Sequence, residues 1–425
     1  MNEYLSDIID EFIPGDWGND YSSDHTPNAV RCIRGADLED VNKNINDNIP
    51  YRYIGNLSLK NRKLEIGDII IEKSGGSPTQ STGRTAYLSK DLLESIGDTV
   101  CSNFCVGFRV KPGVNSRFIS YYLELVYRSG VFFNFEGKTT GIKNLLLDNA
   151  FSSISIPPYS ISEQKNIVNI LTPIDNKIIL NNIINARLEA MAKTIYDYWF
   201  LQFDFPRKNG KAYKSSGGKM IWNAELKREI PENWSVNKIG SLLQTILGGT
   251  PSTRVKEYWI DGKVNWLNSG EIANFPVIDS ELKITESAVE NSATEILPKG
   301  TVMLSITRHL RPTILGIDAC ANQSVVGIRE KDDIKCYYLY PYLKNEIPRL
   351  NSMRSGAQQP HINKDIVDES FIVVPNDDSN ILTNYNAIVG PLYELIINNA
   401  FQNKKLKELR DSLLPMLMNG QVKVK

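Results

Sequence analysis

Two rhythms of hydrophobic and polar residues alternate along the chain. Short apolar runs such as GDIIIEK (67–73), GTVMLSIT (300–307) and ESFIVVP (369–375) lie between clusters of Gly, Pro, Ser and Asn. That pattern predicts brief strands in two globular parts. After Pro157 and Pro375 the period becomes helical. Ser162 precedes EQKNIVNIL, a turn or two of amphipathic helix. Thr172 then reads as an N-cap, with Pro173 at the first helical position and Asp175 in the first turn. A helix from Pro173 to about Phe200 would be ~40 Å long, and Pro391 begins its twin.

Steps of four and three along the first helix pick out Ile170, Ile174, Lys177, Asn181, Ile184, Leu188, Met191, Ile195 and Tyr198. The positions 218 residues later are Ile388, Leu392, Leu395, Asn399, Gln402, Leu406, Leu409, Leu413 and Met416. Two such heptad stripes predict helices that pack on each other, with Asn181 and Asn399 at one shared seam position fixing register. The alternative is that each stripe packs only on its own globule.

The same offset exposes an internal repeat. SSISIPP (152–158) overlays SFIVVP (370–375), and LTPID overlays VGPLY. Further upstream the offset drifts, but LEIGDIII (64–71) still parallels LPKGTVML (297–304), and CSNFCVGF (101–108) parallels CANQSVVGI (320–328). The expected organisation is a strand-rich domain (1–157), a helical spacer (158–206), a second strand-rich domain (207–375) and a second helical spacer (376–425). The fold class is α+β: two mixed domains in tandem, joined by two long antiparallel helices with approximate two-fold symmetry.

Composition narrows the function classes. At 425 residues and a net charge of -1, the chain is no simple polycation. Residues 1–157 carry 16 Lys+Arg against 20 Asp+Glu, and residues 207–375 carry 22 against 19. A nucleic-acid surface must therefore be a local patch. No apolar run approaches membrane-spanning length, and the acidic N-terminus has no signal pattern. Five irregularly spaced cysteines suggest reduced, buried thiols in a cytoplasmic protein and no zinc site.

Catalytic patterns fail one after another. IPPY (156–159) resembles the tetrapeptide that holds an exocyclic amine for methylation, but Ile156 cannot accept its hydrogen bond. In GDIIIEK, Ser74 stands where a metal-dependent nuclease needs lysine. Neither GGTPSTRVK nor GGSPTQSTGR supplies the GK[ST] of a nucleotide-binding loop. His25, His309 and His361 are scattered, without metal spacing. No catalytic or metal residue is expected.

The Gly- and hydroxyl-rich loops suit DNA instead, because glycine permits close approach, hydroxyls and amides hold phosphates, and Arg and Lys reach phosphates or guanine edges. The candidates in the second domain are Thr250, Ser252, Arg254, Lys256 and Tyr258 of GGTPSTRVKEYW, Arg308 and Arg311 of SITRHLRP, and Gln358 of SGAQQPHIN. In the first domain they are Lys73, Gln80 and Arg84 of EKSGGSPTQSTGR.

In order and spacing, these segments resemble the specificity subunit of type I restriction–modification systems over nearly the whole chain. The carriers are GGTPSTRVKEYW with VNWLNSGEI, LPKGTVMLSITR with ACANQSVVGI, and SISEQKNIVNIL with LEAMAKTIYDYWFLQFDFP. GKAYKSSGGKMIWNAELKREIPENW and LKELRDSLLPMLMNG complete the set. The first half (GDWGND, RCIRGADLEDVN, PYRYI) departs from the commoner glycine-threonine-proline start. The resemblance implies two target-recognition domains reading a bipartite, asymmetric double-stranded DNA site. It also implies helices that set the gap and dock two methylation subunits, joined by two restriction subunits. The partners would use S-adenosylmethionine, ATP and Mg2+, with no cofactor on this chain. A ~40 Å spacer is comparable with one DNA turn of about 34 Å. Two rivals stay open: a tandem protein-interaction module with a coiled-coil linker, and a single-chain enzyme whose site is not recognised.

Overall fold

The computed structural model describes residues 3–77, 79–138, 142–356, 360–376 and 380–422. It divides the chain into two compact units, Met1–Leu180 with Lys405–Lys425, and Asn181–Lys404.

The first unit holds β1 (Ile9–Pro14), β2 (Asn28–Ile33), β3 (Tyr51–Ile54), β4 (Ile69–Glu72), β5 (Ser74–Gly75), β6 (Thr85–Tyr87), β7 (Thr99–Cys101), β8 (Cys105–Val110), β9 (Glu136–Lys138) and β10 (Lys143–Leu145). They form sheets ordered β1-β8-β4-β6, β3-β2-β7 and β5-β10-β9. The second unit holds β11 (Met220–Asn223), β12 (Arg228–Pro231), β13 (Trp234–Lys238), β14 (Thr245–Leu247), β15 (Val264–Leu267), β16 (Leu282–Ile284), β17 (Val302–Ser305), β18 (Arg311–Ile314), β19 (Ala319–Ala321), β20 (Val325–Ile328) and β21 (Phe371–Pro375).

The two units share one topology. Sheet β14-β20-β17-β18 repeats β1-β8-β4-β6, and β16-β15-β19 repeats β3-β2-β7. In each three-stranded sheet one pair is parallel, β2 with β7 and β15 with β19. Packing repeats as well: a Cβ on Gly107 would meet Leu64 at 2.5 Å, and one on Gly327 would meet Leu297 at 2.6 Å. Two of the apolar runs read from sequence, GDIIIEK and GTVMLSIT, are inner strands of the four-stranded sheets, with Ile69, Ile70, Ile71, Val302, Met303 and Leu304 all buried, while ESFIVVP forms β21, which pairs with β13. In the second unit an aromatic core gathers Tyr196, Trp199, Phe200, Trp234, Tyr338 and Tyr385, with Phe200 4.7 Å from Tyr338 and 4.8 Å from Tyr385 between ring centroids.

The long helices are Ile161–Tyr196 and Ile381–Met418, ~54 and ~57 Å by residue count. Each begins in one unit and ends in the other. The expected start at Thr172–Pro173 is corrected. The cap is Ser160, whose backbone N–H donates to Glu163 Oε2 (2.8 Å) while the Glu163 N–H donates to Ser160 Oγ (3.3 Å). Pro173 sits inside the helix on its exposed side. The missing N–H leaves one carbonyl open to water, and burial of Ile167 and Leu171 on the opposite face offsets that loss.

Part of the expected seam also needs correction. Leu188, Ile195, Asn181, Asn399, Leu406 and Leu413 are buried or partly buried. Ile184 is half-buried like Leu188 and Ile195, but Met191 and Leu409 are 54% and 48% exposed. The contact phase runs one residue later at alternate positions, through Ile178, Asn185 and Ala192 on the first helix, Trp199 in the turn Asp197–Leu201 that follows it, and Ile396, Asn403, Arg410 and Leu417 on the second. Regular steps of four and three carried the seam onto Met191, whereas the packed helix buries the smaller Ala192 beside it. Asn185 and Asn403 enter the contact through amide hydrogen bonds.

Those amides form a layer in the second unit. Asn181, with no exposed surface, donates to Gln402 Oε1 (2.7 Å) and Asn403 Oδ1 (2.8 Å). Asn399 donates to Asn185 Oδ1 (2.8 Å), and Asn403 donates to Asn182 Oδ1 (2.8 Å). The bonds 181→403 and 399→185 exchange under the 218-residue shift, and partner numbers fall as the first helix advances, so the helices run antiparallel here.

Candidate nucleic-acid interface

In the second unit, strand register decides which loops meet. Leu247 and Leu304 both pair with Val326, while Ser305 pairs with Val325 and Arg311. The end of β14, the end of β17, the start of β20 and the start of β18 therefore share one end of the four-stranded sheet. From that end leave the segment 248–263, the turn 322–324 and the turn 306–310. Ser355, Pro360 and His361 join them, with Thr307 bridging His361, His361 bridging Ser355, and Arg308 N–H donating to Pro360 O (3.1 Å).

GGTPSTRVKEYW is not a phosphate cradle. The Gly248 N–H bonds Val325 O (2.9 Å) and the Gly249 N–H bonds Ala321 O (2.8 Å), so neither amide is free for an anion. Gly248 is required because a Cβ would collide with the Asn322 carbonyl oxygen. Thr250 donates to Gln323, Trp266 Nε1 donates to Gly249 O (3.0 Å), and Trp259 Nε1 donates to Ser252 O (3.2 Å) while its ring stands edge-on to Trp266. Tyr258 is half-buried against the same cluster. What the braced loop presents outward is Ser252, Arg254 and Lys256. Arg308, held at φ 55°, and Arg311 are also exposed. These four cations make no side-chain ion pair with a described residue, whereas Arg329, Lys344, Arg349 and Lys364 of the same unit are all paired. Gln358 lies outside the described residues.

The first unit gathers equivalent loops. Val106 pairs with Pro14 and Ile71, and Ile71 pairs with Thr85, so the segments 15–27, 73–84 and 102–104 leave one sheet end. Gly15 repeats Gly248, its missing Cβ leaving room for the Ser102 carbonyl. Lys73 and Gln80 are exposed there. Arg84 is not free, which corrects its assignment as a DNA contact. Its Nε and Nη2 donate to Glu72 Oε2 (2.9 Å) and Oε1 (2.6 Å), and Glu72 is 2% exposed. A buried carboxylate needs a bidentate partner, and the Glu72 bond in turn holds the Arg84 pKa above its ordinary value. Arg52 is similarly engaged, paired with Asp20 and stacked 4.2 Å over Trp17.

Sequence reasoning missed three features. Strand β10 pairs with β9 on one side and with β5 on the other at this sheet end, placing Lys143 against Glu136 (2.9 Å) and 5.0 Å above the Phe133 ring. Strands of three residues or fewer carry too little apolar pattern to be read from the sequence. Phe104, discussed below, carried no signal of its own. Asp175 is no simple first-turn charge: buried in the first unit, it accepts from Tyr121 Oη (2.6 Å), Arg117 Nη2 (3.0 Å) and Arg410 Nη1 (3.1 Å).

Among the described residues, no group of three His, Cys, Asp or Glu is placed to hold a metal ion. All five cysteines are buried thiols, and burial pushes Cys32 and Cys105 up to about 12, far from the thiolate needed for nucleophilic chemistry.

The family model described as type I restriction modification DNA specificity domain matches twice, over residues 38–190 and 231–409. The chain belongs to this family. The MjaIX specificity subunit of Methanocaldococcus jannaschii is 26% identical over 326 residues, which cover 75% of this chain and 72% of that protein. The HindI specificity subunit of Haemophilus influenzae is 24% identical over 327 residues, covering 64% and 70%. In fold, the chain matches the crystal structure of a type I restriction–modification S subunit from M. genitalium with a TM-score of 0.58 at 14% identity, covering 98% of this chain and 96% of that one. The family's two matches fall on the two strand-rich units and run into the long helices. No helix among the described residues is long and apolar enough to cross a membrane.

Proposed function

We propose that this specificity-family chain supplies the DNA address for a type I restriction–modification complex. Each unit reads one half of a split, asymmetric duplex target through the loops gathered at one end of its four-stranded sheet. The observation that carries this reading is Arg254, Lys256, Arg308 and Arg311: four exposed cations that make no ion pair with a described residue and leave one end of the four-stranded sheet together, the first two on a loop braced by Trp259 and Trp266. Unpaired guanidinium and ammonium groups on rigid backbone are what phosphate positioning and guanine readout require.

The chain itself is non-catalytic in this reading. Two methylation subunits dock on the long helices, and two restriction subunits join them. The side chains displaced from the helix seam support the docking, because Met191 and Tyr198 on one helix and Ile388, Leu395 and Leu409 on the other form outward apolar positions at heptad spacing. Large exposed apolar residues in series mark a protein partner. S-adenosylmethionine, ATP and Mg2+ belong to those partners, whose own basic surfaces would share phosphate neutralisation and so allow a net charge of -1 here.

Methylome sequencing of cells expressing this chain with its methylation and restriction subunits tests the proposal. A modified motif split into two specific halves is expected. A continuous motif, or methylation unchanged when this chain is deleted, overturns it.

A further inference from the structure

The two sheet ends are built alike but finished differently. In the second unit the turn before β20 is fixed by Asn322 N–H to Leu267 O (2.9 Å), Val325 N–H to Asn322 O (3.1 Å) and Ile306 N–H to Ser324 O (2.9 Å). The first unit repeats all three bonds, as Ser102 N–H to Ile33 O (2.9 Å), Cys105 N–H to Ser102 O (2.9 Å) and Lys73 N–H to Phe104 O (2.8 Å). A fourth, Ser74 N–H to Phe104 O (3.0 Å), is added. Phe104 thus occupies the place of Ser324. Its backbone is held by two donors, yet its ring is 55% exposed.

A phenyl ring left in water forgoes the stabilisation that burial would supply, and fold gives no reason for it here, since serine occupies the same corner in the other unit. The surroundings point to DNA. Lys73 is the adjacent exposed cation, and the carbonyls of Lys73 and Phe104 lie in the bonding that joins β5, β8 and β10. The segment 15–27 from the same end contributes Asp16, Asp20 and Asp24 and no Lys or Arg. Among the described side chains this edge is poor in free cations, so phosphate neutralisation alone would serve it badly. An apolar side chain on a rigid turn can instead press on a thymine methyl or a base step, which discriminates sequence without charge.

We propose that Phe104 is a specificity-determining residue of the first unit, making an apolar base contact in the half-site that this unit reads. This rests on the DNA-address reading above. The full-length chain and Phe104→Ala are each used to select from a random-sequence duplex library, and binding to the wild-type-selected duplex is then titrated with salt. Phe104→Ala is expected to bind that duplex about 10- to 100-fold more weakly, with the slope of log K against log[salt] unchanged. Its own selected motif keeps one half and loses information at one or two positions of the other. Lys73→Ala, by contrast, lowers the slope by about one phosphate's worth. Equal affinity and an identical motif for Phe104→Ala, a reduced slope, or an equal loss on random duplex overturns the proposal while leaving the DNA-address reading intact. A wild-type chain that enriches no motif overturns both.

Discussion

Removing the Asp175 carboxylate should loosen the first unit and leave the second untouched. Asp175 ties three helices together, because Arg117 and Tyr121 come from the helix Ser116–Arg128 and Arg410 from the second long helix. Breaking one partner out of a buried ion pair costs about 3–5 kcal/mol. Two observations reduce that here. The side chains of Arg117 and Arg410 keep 20% and 19% of their surface, and Arg410 retains Asp411 at 3.1 Å and Glu124 at 3.4 Å. Asp175→Ala should therefore cost about 2–3 kcal/mol, which at 1.4 kcal/mol per decade is roughly a 30- to 150-fold change in local opening. Tryptophan fluorescence is a poor reporter, because Trp17 is the only tryptophan of the first unit. Hydrogen exchange read by mass spectrometry resolves the question. Protection should fall in 116–128, 161–180 and 405–418 and persist in 336–352. Wild-type protection at 116–128, or an equal loss in both units, would refute the reasoning.

Arg308→Ala and Arg311→Ala should each weaken DNA binding and lower the salt slope by about 0.9 if the lost contact is to phosphate; a double variant with unchanged affinity and slope would remove these residues from the interface. Arg84→Ala should instead destabilise the first unit by about 3 kcal/mol by leaving Glu72 buried and unpaired, seen in urea unfolding, with DNA affinity retained below the transition. Acid should find a weak point at Asp411: burial opposes its ionisation, but the hydrogen bonds and charges of Arg128 and Arg410 outweigh this and hold its carboxyl below the ordinary value. A carboxyl with a depressed folded pKa stabilises above its unfolded value of about 3.9. That contribution is lost as pH falls through the folded value, so Asp411→Asn should flatten the acid limb of stability below about pH 4.

Much of the architecture was legible because it is written in local period and in repetition. Runs such as LEIGDIII and LPKGTVML announce buried strands from their own composition. The 218-residue offset reveals two copies without any knowledge of contacts, and it places Asn181 and Asn399 at corresponding turns of two helices.

The remainder depends on which groups meet, and side-chain type does not contain that. Arg84 and Arg311 look equally available in the sequence, yet one faces the buried Glu72 and the other faces solvent. Met191 looks a better core residue than Ala192, but a close helix contact selects for fit and buries the smaller one. Asp175 reads as a helix-dipole charge until two arginines and a tyrosine converge on it from other helices. Periodicity and repeats are properties of neighbours along the chain, so the sequence by itself determined the elements and their duplication. Burial, ion pairing and the sharing of one sheet end by distant loops are properties of neighbours in space, and only the tertiary structure decided those.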